Sequence, residues 1–486
     1  MVVNSINFLI FFFVVFIIYY FLLSGKKRLQ NGWLLLSSYF FYGFAEWKMI
    51  PLLLIATIAF YILGQFIGKY YETNERKASV LTTIGVLLGV GMLLYFKYLN
   101  FFIESFSSFF NAIGIHSNWS GFHIIMPLGI SFFTFKLMSY VIEVHRCHIE
   151  PCKDFVTFAT YISFFPTILS GPIDRPKPFL SQLQKGRIFD GELISTGLKR
   201  ILWGMFIKMC VADRLAVYTD AIFNNFGHHN GASLALASLL YPIQMYADFS
   251  GYSEMAIGVG CVLGLKVTEN FKRPFFAENI AEYWRRWHIS LTGWLTDYVF
   301  MPLNIYFRNL EKWGTIFAIV INLVLVGLWH GANWTFALFG FYHGLLFIPL
   351  ILSGSFLKKY KQKKGKWGIP TFRSVSKMAG TFMLVALGLI IFRAATVEDA
   401  FIIFQKIVCD HGSLYMGMEA IVALGYGFIA LFFLAFKDFT DEYFPNKFLF
   451  YNNRNVVIRY IAYVVTIIMI LSMGVLDGGQ FIYFQF

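Results

Sequence analysis

The chain has 486 residues, of which 58% are hydrophobic, 20% aromatic and only 14% charged. A mean hydropathy of +0.62 excludes a water-soluble globular protein of this length and leaves a polytopic membrane protein. The net charge of +13 lies in short basic clusters between apolar runs, a pattern of loops facing anionic lipid, and argues against a nucleic-acid-binding surface.

The first apolar run, 4–23, is twenty uncharged residues with no basic region before it and no small-residue cleavage site after it, so it reads as a retained span. Lys26-Lys27-Arg28 then places the following loop in the cytoplasm and the N-terminus outside. Spans are expected at 31–45, 49–68 and 78–96. The aromatic, weakly polar stretch 97–121 has the spacing of a helix lying on the outer membrane surface, with His116 and His123 as interfacial residues.

A fifth span, 122–144, carries Lys136 near its middle, and such a lysine must face the bundle interior or water. It would either pair structurally or line a tunnel. The run His145 to Cys152 contains metal-ligand types without the paired C-x-x-C spacing of a structural zinc site, so no metal is expected. Five cysteines, an odd number within or beside apolar segments, give no disulfide framework.

Segment 155–169 is too short to cross and ends in Ser170-Gly171-Pro172, which suggests that it enters and returns. A span at 201–218 includes Lys208 and an Asp213-Arg214 pair. The next, 232–265, is interrupted by Asp248, Tyr252 and Glu254 among serines and a glycine, the signature of a broken or kinked helix lining a cavity.

Residues 266–312 are rich in basic side chains and are expected on the cytoplasmic side. On a helix from Glu282, His288 would share a face with Trp284, Arg285 and Thr292. The uncharged run 313–329 then delivers His330, Gly331 to Asn333 break the helix, and 334–357 returns with His343 midway. Loop 358–377 holds eight basic residues and no acidic one. With spans at 378–392, 420–436 and 460–476, the expectation is an all-α protein of roughly 11–13 transmembrane helices with re-entrant or interfacial segments. The organisation expected is N-terminal helices over 1–121, a core over 122–354, a basic cytoplasmic loop over 355–377 and C-terminal helices over 378–486.

Two histidines each follow a tryptophan, Trp287-His288 and Trp329-His330. Burial favours neutral imidazole, which can act as a base. His330 has no charged neighbour, a glycine beside it and Asn333 close by as a hydrogen-bond donor, which makes it the first candidate for general base and His288 the second. There is no G-x-S-x-G elbow and no phosphate loop, so chemistry would run through histidine.

The blocks MPLGISFFTFKLMSYVIEV, SFFPTILSGPIDRP, GLKRILWGMFIKMCVADRL, YADFSGYSEMAIGVG, ENFKRPFFAENIAEYWRRWHISLTGWLTDYVFMPL, GLWHGANWTFALFGFYHG and FIYFQF resemble the membrane-bound O-acyltransferase family, in particular its bacterial alginate O-acetyltransferase-type branch. The resemblance implies helices around a central tunnel, His330 as catalytic residue and His288 as a second functional position. It also implies a cytoplasmic acyl thioester such as acetyl-CoA as donor, with no tightly bound cofactor. The acceptor would be a hydroxyl of an extracytoplasmic polysaccharide, with a separate SGNH-type transferase or esterase as partner, at the bacterial cytoplasmic membrane. Lys136 stands where the resemblance leads one to expect glutamine.

On this reading Arg285 and Arg286 help His288 to orient the donor. Asp248 and Glu254 hold helices or a histidine tautomer, and Trp287, Trp329, Tyr252, Lys136 and His343 line the path. A straight helix over 313–329 would separate a cytoplasmic His288 from an outward His330 by about 25 Å, too far to share one proton. Two alternatives stand beside this reading: D-alanyl transfer from a carrier protein to teichoic acid, and a transporter or flippase, although the chain shows no matching halves.

Overall fold

A backbone in hydrocarbon must satisfy its own N–H and C=O groups, and a helix does so within one segment. In the computed structural model, which describes residues 3–115, 121, 122, 124–356, 358, 365–445 and 450–475, every regular element is helical. His116, His123, the FIYFQF ending and much of the basic loop fall outside the described residues. Seven helical segments among the described residues are long and apolar enough to cross a membrane. One of them, Lys27–Tyr71, contains two α-helices, Lys27–Glu46 and Ile50–Tyr71. The segments expected at 122–144 and 201–218 are helical too, but the first is shortened to Ile130–His145 and the second contains buried charge.

The chain forms two compact units, Met1–Leu198 with Ala256–Thr268, and Lys199–Met255 with Glu269–Phe486. In the first, Arg187 is buried and donates to the Tyr19 hydroxyl and to the Asn31 side-chain oxygen, each at 2.6 Å. Segment 155–169 forms Phe155–Ser163 and Phe165–Ile168, almost wholly buried. The stretch expected as a surface helix over 97–121 is helical over Leu99–Ala112 and joins the preceding span without a break. Glu75–Leu93 runs through a π-helical turn, Leu94–Tyr98, into Leu99–Ala112, because neither glycine nor proline interrupts 92–112.

The second unit contains the hairpin that positions the candidate site. Helix Glu311–His330 packs along Trp334–Leu352 at unusually close range. A Cβ on Gly327 would lie 2.0 Å from the Phe336 carbonyl oxygen, and one on Gly340 would lie 2.2 Å from that of Leu323. Glycine at both positions lets the two backbones meet. On another side of Glu311–His330 packs a helical run over 289–306, built from Ile289–Leu295, the π-helical Thr296–Phe300 and Met301–Tyr306. Thr315 donates to Asn304 at 2.9 Å where the chain turns between them.

The structure departs from the sequence expectation at three further places. The helix Gly231–Val262 runs unbroken through Asp248, Tyr252 and Glu254, because the polar side chains find partners on neighbouring segments and need no gap in the backbone. The helix expected from Glu282 past His288 stops after Arg286, and a new one starts at Ile289. Finally, His288 and His330 are not separated by the length of a span. The run over 289–306 travels along the same helix that returns to His330, so both histidines sit at one end of the antiparallel pair.

Candidate active site

His288 occupies the joint between Ile280–Arg286 and Ile289–Leu295 with φ 45° and ψ 51°. That left-handed conformation costs a non-glycine residue about 1–2 kcal/mol, so the surroundings must enforce it. They do so through Asn270, whose backbone oxygen accepts from Ile289 N–H at 2.9 Å. Its side-chain oxygen lies 3.1 Å from His288 Nδ1, 2.8 Å from Ser290 Oγ and 3.3 Å from Ser290 N. The Asn270 amide nitrogen donates to Ser253 Oγ at 3.2 Å, and Arg200 bridges Glu254 to Glu269 immediately before it.

His330 ends its helix at the C-terminal residue, with Gly331 extended behind it. Both imidazoles are buried, His288 at 1% and His330 at 3% exposure. Their ring centroids are 6.4 Å apart, and the Trp329 ring meets His288 at 5.4 Å and His330 at 5.1 Å, edge to face. Phe249 covers the far side of His288 at 4.7 Å, and Phe392 covers His330 at 5.2 Å. His288 lies outside the seven candidate spans; burial holds its pKa well below the ordinary value, and the nearby His330 adds to the shift. Two buried imidazoles in an aromatic enclosure can accept and return a proton while excluding water.

The sequence matches the membrane-bound O-acyltransferase (MBOAT) family over residues 39–383. The chain belongs to this family. It is 34% identical over 369 residues to the "Probable alginate O-acetylase AlgI" of Pseudomonas aeruginosa, covering 76% of this chain and 67% of that protein. It is 29% identical over 412 residues to the "Peptidoglycan O-acetyltransferase" of Helicobacter pylori, covering 77% and 72%. To the "Teichoic acid D-alanyltransferase" of Bacillus subtilis it is 32% identical over 280 residues, covering 56% and 69%. This MBOAT is an O-acyltransferase of the membrane.

The remaining candidates in this MBOAT divide by what they touch. Trp329 belongs to the histidine centre, and Trp287 stacks at 5.5 Å on Tyr283 and meets Phe271 at 5.1 Å beneath it. Asn333 is the N-cap of Trp334–Leu352, accepting from Thr335 N at 3.1 Å and donating to the Ala395 carbonyl at 2.8 Å. Its amide is thus committed to capping rather than standing one turn beyond His330 as a donor. Arg286 is held by Glu282 at 2.7 Å and Glu442 at 2.9 Å, and Glu442 also takes Arg273 at 2.7 Å. Arg285 is exposed and donates to the Phe356 carbonyl.

Asp248 pairs with Lys208, which also binds Asp213 at 2.7 Å, and this buried triad ties Gly231–Val262 to the π-helical turn Ile207–Ala212. Glu254 is clamped by Arg200 at 2.7 Å, Tyr252 is buried one turn beyond Asp248, and it is Asn270 that contacts the histidine. His343 is fully buried and accepts from Trp284 Nε1 at 3.3 Å. Lys136 belongs to the first unit, where its ammonium donates to Thr167 Oγ1 at 2.8 Å and lies over the Tyr161 ring.

Sequence reasoning missed Asn270, Ser253 and Ser290. No local spacing relates them, because the contacts arise when the loop after Gly231–Val262 folds back on the His288 joint. A further feature of this unit is a cavity of about 410 Å³ lined by Ile243, Tyr246, Phe275, Phe382, Leu434 and Asp438 among others. The Tyr246 ring lies 6.4 Å from that of Trp287, and its hydroxyl donates to Asp438 at 2.9 Å.

Proposed function

We propose that this MBOAT transfers an acetyl group from a cytoplasmic thioester, of the acetyl-CoA class, toward hydroxyls of an extracytoplasmic polysaccharide at the bacterial cytoplasmic membrane. The N-terminus faces outward in this reading, and an SGNH-type transferase receives or completes the transfer outside. The observation that carries it is the pair of buried imidazoles, His288 and His330, with ring centroids 6.4 Å apart. Similarity to the alginate and peptidoglycan acetylating relatives supports acetyl as the acyl group and polysaccharide as the acceptor class.

In this mechanism His330 takes the proton from the attacking hydroxyl as its oxygen bonds to the thioester carbonyl carbon. Collapse of the tetrahedral intermediate breaks the C–S bond, and the imidazolium returns its proton to the departing thiolate. With the Asn333 amide engaged as a cap, backbone N–H groups are left to stabilise the oxyanion. His288 holds the reacting group opposite His330. The apolar cavity beside Trp287 would seat part of the donor arm.

Membranes containing the wild-type chain should move radiolabel from acetyl-CoA to polysaccharide, and membranes with equal amounts of His330→Ala should not. Undiminished transfer by His330→Ala would remove its role. The similarity to the D-alanyltransferase favours one second reading, the same chemistry with a D-alanyl thioester on a carrier protein. Transfer from that donor and none from acetyl-CoA would select it.

A further inference from the structure

The geometry points to Asn270 as the positioning residue that fixes the tautomer of His288, so that Nδ1 carries the proton and Nε2 presents the lone pair. The inference deepens the acyl-transfer reading and rests on it. The decisive contact is the Ser290 backbone N–H, 3.3 Å from the Asn270 side-chain oxygen. A backbone N–H can only donate, so the amide must turn its oxygen, not its NH2, toward the 288–290 segment. The opposite NH2 is satisfied by Ser253 Oγ at 3.2 Å, which fits the same orientation. An amide oxygen can only accept, and it lies 3.1 Å from His288 Nδ1. Nδ1 must therefore be the protonated nitrogen, and the neutral ring has its lone pair at Nε2.

The backbone reinforces this assignment. Ile289 N–H donates to the Asn270 carbonyl at 2.9 Å, and Lys272 N–H donates to the Arg286 carbonyl at 2.9 Å. One loop residue thus holds the ring, the left-handed φ of His288 and the first turn of the following helix. In this state His288 can accept a hydrogen bond from a substrate hydroxyl, or take its proton, but cannot donate one at Nε2 to a developing oxyanion. That divides labour within the pair: the proton-accepting face belongs to His288 Nε2 together with His330, and the oxyanion must be met from elsewhere.

Asn270 touches no reacting atom, so its effect should appear in turnover and in pH dependence rather than in donor binding. In membranes carrying the full-length chain, Asn270→Ala should lower kcat about 10–100-fold with KM for the thioester little changed. Asn270→Asp keeps an acceptor at Nδ1 and adds a negative charge, which favours the imidazolium. It should retain turnover while moving the acidic limb of the rate profile to higher pH by about one unit.

A wild-type kcat and pH profile in Asn270→Ala would overturn the assignment, as would an active Asn270→Asp whose acidic limb does not move. If Asn270→Ala fails to accumulate, the pH profile of Asn270→Asp decides. Failure of both to reach the membrane would make Asn270 a folding residue only and overturn the inference. The acetyl-transfer reading fails separately, when the wild type itself moves no acetyl group. The two variants are then compared on whichever acyl thioester the wild type uses.

Discussion

The imidazole rings of His288 and His330 meet edge to face at 6.4 Å between centroids, inclined at 62°, with Trp329 against both. A reacting oxygen about 3 Å from a nitrogen of each ring fits a spacing of that size. The two histidines therefore form one centre within the second unit rather than two positions a span apart.

One shared centre predicts non-additive losses. His330→Ala and His288→Ala should each reduce acyl transfer about 10²–10⁴-fold, and the double variant should be little worse than the poorer single one. Radiolabel transfer at matched protein level checks this. Multiplicative losses would separate the two residues.

Stability should fall on the acid side. The His288 pKa is lowered in the folded chain, so the unfolded state binds more protons once pH drops below the ordinary histidine value of 6.5. Stability is then unaffected by this group above that value and is lost progressively beneath it. Melting temperatures of detergent-solubilised protein between pH 7.5 and 5 should decline, and His288→Gln should flatten the decline.

Asn333→Ala separates a cap from a catalyst. Loss of the cap should cost about 1 kcal/mol and lower Tm, with turnover largely retained. An oxyanion donor would instead cost about 10²–10³ in kcat with Tm unchanged. The contacts to Thr335 and Ala395 predict the first outcome.

Arg286→Gln tests whether the arginines grip the donor. With Glu282 and Glu442 holding its guanidinium, the variant should lose roughly 1.5–3 kcal/mol of stability. The KM for the thioester should stay near wild type, as measured in titrations of donor concentration. A selective rise in KM would return Arg286 to donor binding.

Gly340→Leu should disable the chain without touching the chemistry. The added side chain meets the Leu323 backbone, and such overpacking costs about 1–3 kcal/mol or more. The expected result is poor accumulation, or a folded protein with His330 displaced and transfer lost. Activity and Tm like the wild type would show that the helices can part cheaply.

Much was legible in the chain itself because hydrocarbon imposes simple rules. Uncharged runs such as 313–329 and 460–476 had to be helices, and they became Glu311–His330 and Val456–Met473. A histidine after tryptophan in such a run is costly enough to mark a site before any coordinates exist. The polar stretch around Asp248 misled, since the sequence shows polar groups but not their partners. Lys208 and Arg200, on a neighbouring helical run, satisfy them and leave the helix whole.

Sequence alone determined the class of protein and most of the helices and singled out the two histidines as candidates, because composition and local spacing depend only on near neighbours along the chain. Tertiary structure decided that those histidines meet, that Asn270 rather than a carboxylate holds one of them, and that Asn333 is a cap. Those outcomes depend on a helical run doubling back along its neighbour and on a loop folding over a strained residue. Both bring together residues far apart in the chain, and no local periodicity encodes such contacts.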